Sequence, residues 1–345
     1  MTSHRQASFV VRLLDAQDRE IQVLDGVTGG SVQLSATTRL RASGELTIRE
    51  TGEQIDWLSQ RVRIDYEPAG MPGWPLGVFL FGAPKESASD AGRSWQVELL
   101  GKLAILDSAS TEATLTVPAG SNLVQSAVDL AQNAGESRIA ATPSSVTTSS
   151  AMMWDPGTST LTVINELLAA AGYWSAWADG SGVVRFEPYS RPAQRPSSFS
   201  FVEGDAAIHS AEWTRDQDLA SVPNRVVLVG QGSDETPAIV GIATNEDPAS
   251  PLSFQRRGRW ITHSETGVEA ANQETLTGLA RRKLIDSSTP QATLQVTHMP
   301  IPIMPNDAGT FRSQGHTSRV VLRSVQYDLD PTALCNSTLV EVVDL

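Results

Sequence analysis

Five histidines, one cysteine and 39 acidic side chains are what this 345-residue chain offers for chemistry. His4, His209, His263, His298 and His316 fall at none of the HxxxH, HExxH or HxH spacings that bring two metal ligands onto one face, so no metal site is expected. Cys335 is alone, which excludes an internal disulfide and a cysteine-rich zinc site, and it reads as an inert thiol. There is no G-x-S-x-G elbow, and a triad drawn from distant residues would rest on nothing local. Paired carboxylates are the one constellation without a short motif, because glycosidase acids lie far apart in sequence. Glu187 beside Phe186 and Tyr189, or Asp155 beside Trp154, are the candidates. The plainer reading is that Asp155-Pro156-Gly157 is a turn and that isolated acids in an acidic chain are solvated. Gly26 to Gly30, in DGVTGG, precedes a strand pattern rather than a helix, so it reads as a hairpin loop and not a phosphate cradle. Of eight tryptophans, Trp95, Trp174, Trp177 and Trp213 fall on expected strands, where an aromatic fills a core or interface more readily than it forms a sugar platform. No catalytic, cofactor-binding or metal residue is therefore assigned, no cofactor is expected, and interface residues are not readable.

The elements around these residues are mostly short strands. Up to about residue 110 the alternating runs Phe9, Val11, Leu13; Val62, Ile64, Tyr66; and Trp95, Val97, Leu99 predict strands. A Gly29-Gly30 turn is expected before Val32 and Leu34, Leu40, Ala42, Leu46 and Ile48 bracket Ser43-Gly44, and a Pro/Gly-rich stretch from Pro68 to Gly77 precedes Val78, Leu80 and Phe81. Six or more such strands suggest a small sandwich or barrel. From 111 to 200 the character changes. Ser121 is placed to cap a helix carrying Leu123, Val124, Ala127, Val128 and Ala131, with Gly135 as its stop. A second helix is expected from about Ser159 to Ala171, ended by Gly172, then a hairpin, Tyr173 to Trp177 and Val183 to Phe186, turning at Ala178-Asp179-Gly180-Ser181-Gly182. After Ser198 strands return at 208–213, 222–229, 239–242, 292–296, 319–327 and 339–343. One helix interrupts them at 266–285, with Thr266 and Glu269 as a capping box and Ala271, Leu276, Leu279, Ala280 and Leu284 as its stripe.

Length suits several cores, and 40% hydrophobic residues suffice to fold them. No run approaches the roughly 20 apolar residues of a membrane helix, and Arg12, Asp15 and Asp18 interrupt the start, so neither stable membrane insertion nor a signal peptide is expected. A formal net charge of −13 argues against a surface that grips nucleic acid, which needs Lys and Arg against phosphates. An acidic wall does let DNA slide past without sticking.

One stretch carries a family likeness. WDPGTSTLTVINELLAAAGYWSAWADGSGVVRFEPYSRP, residues 154–192, is followed about thirty residues later by SVPNRVVLVGQG. A helix of this form, a D-G-x-G hairpin ending in EPY, then NRVVLVG, resembles the hub proteins at the tips of bacteriophage tails, and among them the minor tail proteins of siphophages infecting actinobacteria. The resemblance implies a β-rich α+β multi-domain chain: a first tube-type β-barrel at 1–110, an α+β module at 111–200, and a second tube-type β-barrel at 201–345 with a helical insertion at about 245–289. It implies a homotrimer whose paired barrels make a pseudo-sixfold ring continuing a sixfold tail tube. Implied partners are a distal tail protein ring, a tape measure protein and tip or fibre proteins, with the genome passing through without specific binding. The implied place is the virion tail tip, assembled from chains made in the host cytoplasm, and the chain is not an enzyme. Many hubs carry a further C-terminal peptidase or lysozyme-like domain; none is expected here, so cell-wall chemistry would belong to a partner. Two other readings stand beside it: a distal tail protein, which forms hexamers from one barrel per chain, and a carbohydrate-active enzyme or sugar-binding module using the tryptophans and acids.

Overall fold

The computed structural model describes residues 6–52, 54–90, 92–217, 220–230, 238–268, 272–288 and 290–342. They form two compact units, Met1–Tyr189 with His298–Pro305 and Arg323–Asn336, and Ser190–Thr297 with Asn306–Leu322 and Ser337–Leu345. The architecture is β-rich, with several sheets and few helices.

The first unit begins with seven strands, β1 (Ala7–Leu14), β2 (Glu20–Val23), β3 (Val27–Ser35), β4 (Ala42–Arg49), β5 (Arg61–Pro68), β6 (Trp74–Ser89) and β7 (Gly92–Gly101). They pair antiparallel in the order β3-β4-β7-β6-β5-β1-β2. Period-two patterning sets the faces. Val62, Ile64 and Tyr66 of β5 stand opposite Leu13, Val11 and Phe9 of β1, and all of them but Phe9 are buried. The alternate positions carry charge: Arg12 bonds Asp65 at 2.7 Å, Glu67 at 2.8 Å and Glu20 at 3.0 Å. Gly29 and Gly30 lie inside β3 rather than in a turn, and Gly44 lies inside β4; the chain reverses earlier, at Gly26 with φ +78°. The reason is close backbone approach, since a Cβ on Gly30 would sit 2.3 Å from the Glu45 carbonyl oxygen and one on Gly44 2.4 Å from that of Ser31.

The same unit continues with α1 (Ala104–Ser108), β8 (Leu115–Val117), α2 (Leu123–Asn133), β9 (Ile139–Ala141), β10 (Met152–Trp154), α3 (Thr160–Ala170), β11 (Trp177–Ala178) and β12 (Val184–Phe186). The helices α2 and α3 turn Leu, Val and Ile at helical spacing into one core with Leu103, Trp154 and Phe186. The cap of α2 is Asn122, not Ser121: its side chain accepts a 2.9 Å bond from the Gln125 amide. Gly135 and Gly172 end α2 and α3 at positive φ, where the following amides of Glu136 and Tyr173 reach back to Ala131 and Leu168. In the hairpin, β12 pairs antiparallel with β11 and parallel with β9. Trp174 lies ahead of β11, outside the strand expected for it.

The second unit holds β13 (Ser197–Val202), β14 (His209–Asp216), β15 (Arg225–Gly230), β16 (Val240–Thr244), α4 (Phe254–Arg257), β17 (Thr262–Val268), α5 (Gln273–Ser288), β18 (Pro290–His298), β19 (Ala308–Ser313), β20 (His316–Asp328) and β21 (Cys335–Val342). Residues of β20 up to Leu322 belong here, and those from Arg323 count with the first unit, where Ser324–Asp328 pair with β3; His298 of β18 and Cys335 and Asn336 of β21 count with the first unit as well. One sheet runs β14-β18-β21-β20, with β19 between β20 and a parallel β13. A small sheet, β16-β15-β17, has α5 packed on it, Leu276, Ala280 and Leu284 against Val226, Leu228 and Ala243. The expected helix at 266–285 is corrected to 273–288. Thr266 sits in β17 opposite Val229, so it caps nothing; Glu269 and Ala271 lie outside the described residues. A parallel ladder to a strand about forty residues away outweighs a local capping pattern, and Asn272 takes over by accepting the Thr275 amide at 2.9 Å. The stretch 245–289 thus contains a strand as well as helices.

Candidate functional site

The four described histidines go to three separate places, His4 lying outside the described residues. His298 is fully buried, with Nδ1 2.7 Å from the Met299 carbonyl. His263 lies 3.1 Å from Glu265, which also takes Lys283. Burial pushes the Glu265 carboxyl up, but these two partners outweigh it and leave it below the ordinary range. His209 and His316 meet Trp213 around Phe311 in the second unit, with ring centroids 5.1–6.2 Å from it. Burial pushes His209 down, opposed by Glu203, so it is held neutral among aromatic rings.

Glu341 of the same unit also holds two partners. Arg215 straddles its carboxylate at 3.1 and 2.7 Å and His316 reaches the same group at 2.6 Å. Burial raises this carboxyl, the contacts with Arg215 and His316 lower it by more, and the balance falls below the ordinary carboxylate value. A carboxylate so engaged stays ionised with its oxygens already used, which suits a structural tie and not proton transfer.

The acids singled out from sequence stand apart from such a design. Asp155 is exposed, and its backbone carbonyl accepts from the Thr111 and Thr158 hydroxyls, as a turn residue's does. Glu187 pairs with Arg185 at 3.7 Å. Trp154 is buried and donates Nε1 to Glu166 at 2.7 Å. Trp95, Trp174, Trp177 and Trp213 are all half-buried, against Trp57, Tyr189, Arg185 and Phe311 respectively. Cys335 is buried on β21. Among the described residues no group of three or more His, Cys, Asp or Glu is arranged to hold a metal ion, and no helix is long and apolar enough to cross a membrane.

Sequence reasoning gave no account of the exposed apolar side chains. Ile21 and Val23 project from one face of β2, the end strand of its sheet, and Val240 and Ile242 do the same on β16. Leu58 is 98% exposed on a turn held by Asp56, whose carboxylate accepts from the Leu58 amide at 3.0 Å and from the Ser59 hydroxyl at 2.5 Å. Alternation in REIQV was a legible signal for the first pair; nothing local marks Leu58 as outward.

Solved structures match this fold along nearly its whole length. A tail protein from Neisseria meningitidis superposes with a TM-score of 0.69 at 13% identity, covering 98% of this chain and 97% of its own. The 43 kDa tail protein of prophage MuSo2 from Shewanella oneidensis gives 0.69 at 12%, covering 97% and 98%. The Escherichia coli c3393 protein, a type VI secretion component described as structurally similar to the T4 tail proteins gp27 and gp5, gives 0.53 at 9%, covering 99% and 76%. No family model and no curated protein matches the sequence. The chain has the fold of phage tail proteins.

Proposed function

We propose that this protein is a structural component of a virion, a tail-tip hub that assembles as a homotrimer. The observation that carries the reading is the end-to-end likeness to tail proteins, at a TM-score of 0.69 over 98% of the chain. On this reading the β-rich blocks at 1–110 and 201–345 act as tube-type barrels, three copies of each making the ring that continues the tail tube. The module at 111–200 stands outside. A net charge of −13 supports a channel wall that repels the passing genome. The distal tail ring, the tape measure protein and the tip or fibre proteins are its partners. Catalysis plays no part: Glu341 is locked in ion pairs, and Glu187 and Asp155 serve local structure. Native mass measurement of the purified chain, alone and with tail partners, tests the reading. Three copies support it; six would favour a distal tail protein.

A further inference from the structure

Lys102 is buried in the short link between two parts of the first unit. The strand β7 ends at Gly101 and α1 begins at Ala104, so only Lys102 and Leu103 connect the meander β1–β7 to the α+β module. The Lys102 side chain is 1% exposed. Its ammonium contacts the Asp18 carboxylate and lies 3.1 Å from Glu136 Oε2. Asp18 belongs to the β1–β2 turn, where it adopts φ +61°; Glu136 directly follows the end of α2, and their side chains are 1% and 2% exposed. Arg61 of β5 reaches Asp18 Oδ1 at 2.5 Å, and Arg138 of the module lies 3.4 Å from Oδ2. The meander therefore supplies Asp18 and Arg61, the module Glu136 and Arg138, and the link the cation between them.

Burying charge is costly, and a well-packed apolar cluster is commonly as stable as a buried ion pair. What ions add is selectivity of arrangement, since displacing the module would leave unpaired charges in a low-dielectric interior. Two further contacts join the same parts. Gly180 and Gly182 of the module turn lie against β6, where a Cβ would come 2.1 Å from the Pro75 carbonyl oxygen and 2.7 Å from Val78 Cγ2. Arg39 binds Asp107 of α1 at 2.8 Å and Thr162 of α3 at 2.9 Å.

We infer that the Asp18–Lys102–Glu136 cluster is a latch that locks the module Ala104–Phe186 onto the meander as one rigid body. Without it the Arg39 and Gly180–Gly182 contacts remain, and the link through Lys102 and Leu103 gains freedom to move. The inference stands on these contacts and holds whether or not the chain is a hub. In a hub it would fix the angle at which the module is carried.

Amide hydrogen exchange on the full chain tests it with two variants. Lys102→Met combined with Glu136→Gln removes the buried cation and one of the two buried carboxylates, leaving Asp18 with Arg61 and Arg138, and Arg138→Gln removes one meander-to-module ion pair at a partly exposed site while Arg39–Asp107 remains. In both, exchange at Asp179–Val183 and through the link should speed up by at least about tenfold, while α2 and α3 keep their protection. Unchanged exchange at Asp179–Val183 in either folded variant would overturn the latch. So would an intact mass one water below that of the sequence, because the Lys102 amine and the Asp18 carboxyl would then be condensed to an amide rather than ion-paired.

Discussion

Among the described glycines, Gly180 is the one whose added Cβ would meet the closest neighbour. A Cβ there would lie 2.1 Å from the Pro75 carbonyl oxygen, against about 3.4 Å for ordinary contact. The turn would have to lift by more than about 1 Å. It has little room to yield: the Asp179 carboxylate accepts the Ser181 and Val183 amides at 3.0 and 3.1 Å and Arg185 at 2.8 Å, and the Gly182 amide bonds the Asp179 carbonyl at 2.8 Å. Gly180→Ala should therefore behave as overpacking and cost about 1–3 kcal/mol. In a unit of this size that lowers the melting temperature by about 2–12 °C. Differential scanning calorimetry measures the shift, and hydrogen exchange should localise it to residues 176–186. Gly157→Ala is the control: its φ of +84° carries a conformational cost, but its Cβ meets nothing within 4 Å. A Gly180→Ala protein that melts within about 1 °C of the parent would refute the close approach on which the packing argument depends.

Other substitutions probe the second unit. Glu341, Glu265 and, in the first unit, Asp107 all have folded carboxyls below their ordinary values. Such groups contribute stability above their unfolded values near about pH 4 and lose it as pH falls through the folded ones, so acid titration of the melting temperature should decline from about pH 5 downward. Glu341→Gln should flatten that decline and cost about 1–3 kcal/mol at neutral pH, discounted because Arg215 is partly exposed. Gly278 is exposed within α5 and its Cβ would meet nothing, so Gly278→Ala should stabilise by about 0.5–1 kcal/mol in urea unfolding. Leu276→Ala, on the buried face of the same helix, should cost about 2–5 kcal/mol by the same measurement.

Local periodicity made α2, α3 and their glycine stops legible, because a helix writes its 3.6-residue repeat and its left-handed end into adjacent residues. The D-G-S-G hairpin was legible for the same reason. Elements defined by distant partners were not. The strand β17 pairs parallel with β15 and β13 with β19, ladders that leave no local mark, and a T-x-x-E pattern at 266–269 imitates a cap that the ladder overrides. Glycines inside β3 and β4 read as turns because sequence does not reveal the carbonyl that excludes their side chains. The buried cluster draws on positions 18, 61, 102, 136 and 138, too scattered for any motif, and only folding brings them together. Nothing local marks Leu58 as outward, and only the fold shows it.

Electron microscopy of the purified chain, with native mass spectrometry on the same sample, tests the central claim most directly. The account predicts closed rings of three copies around an open channel, alone or when tail partners are added. A chain that stays monomeric under both conditions would contradict it.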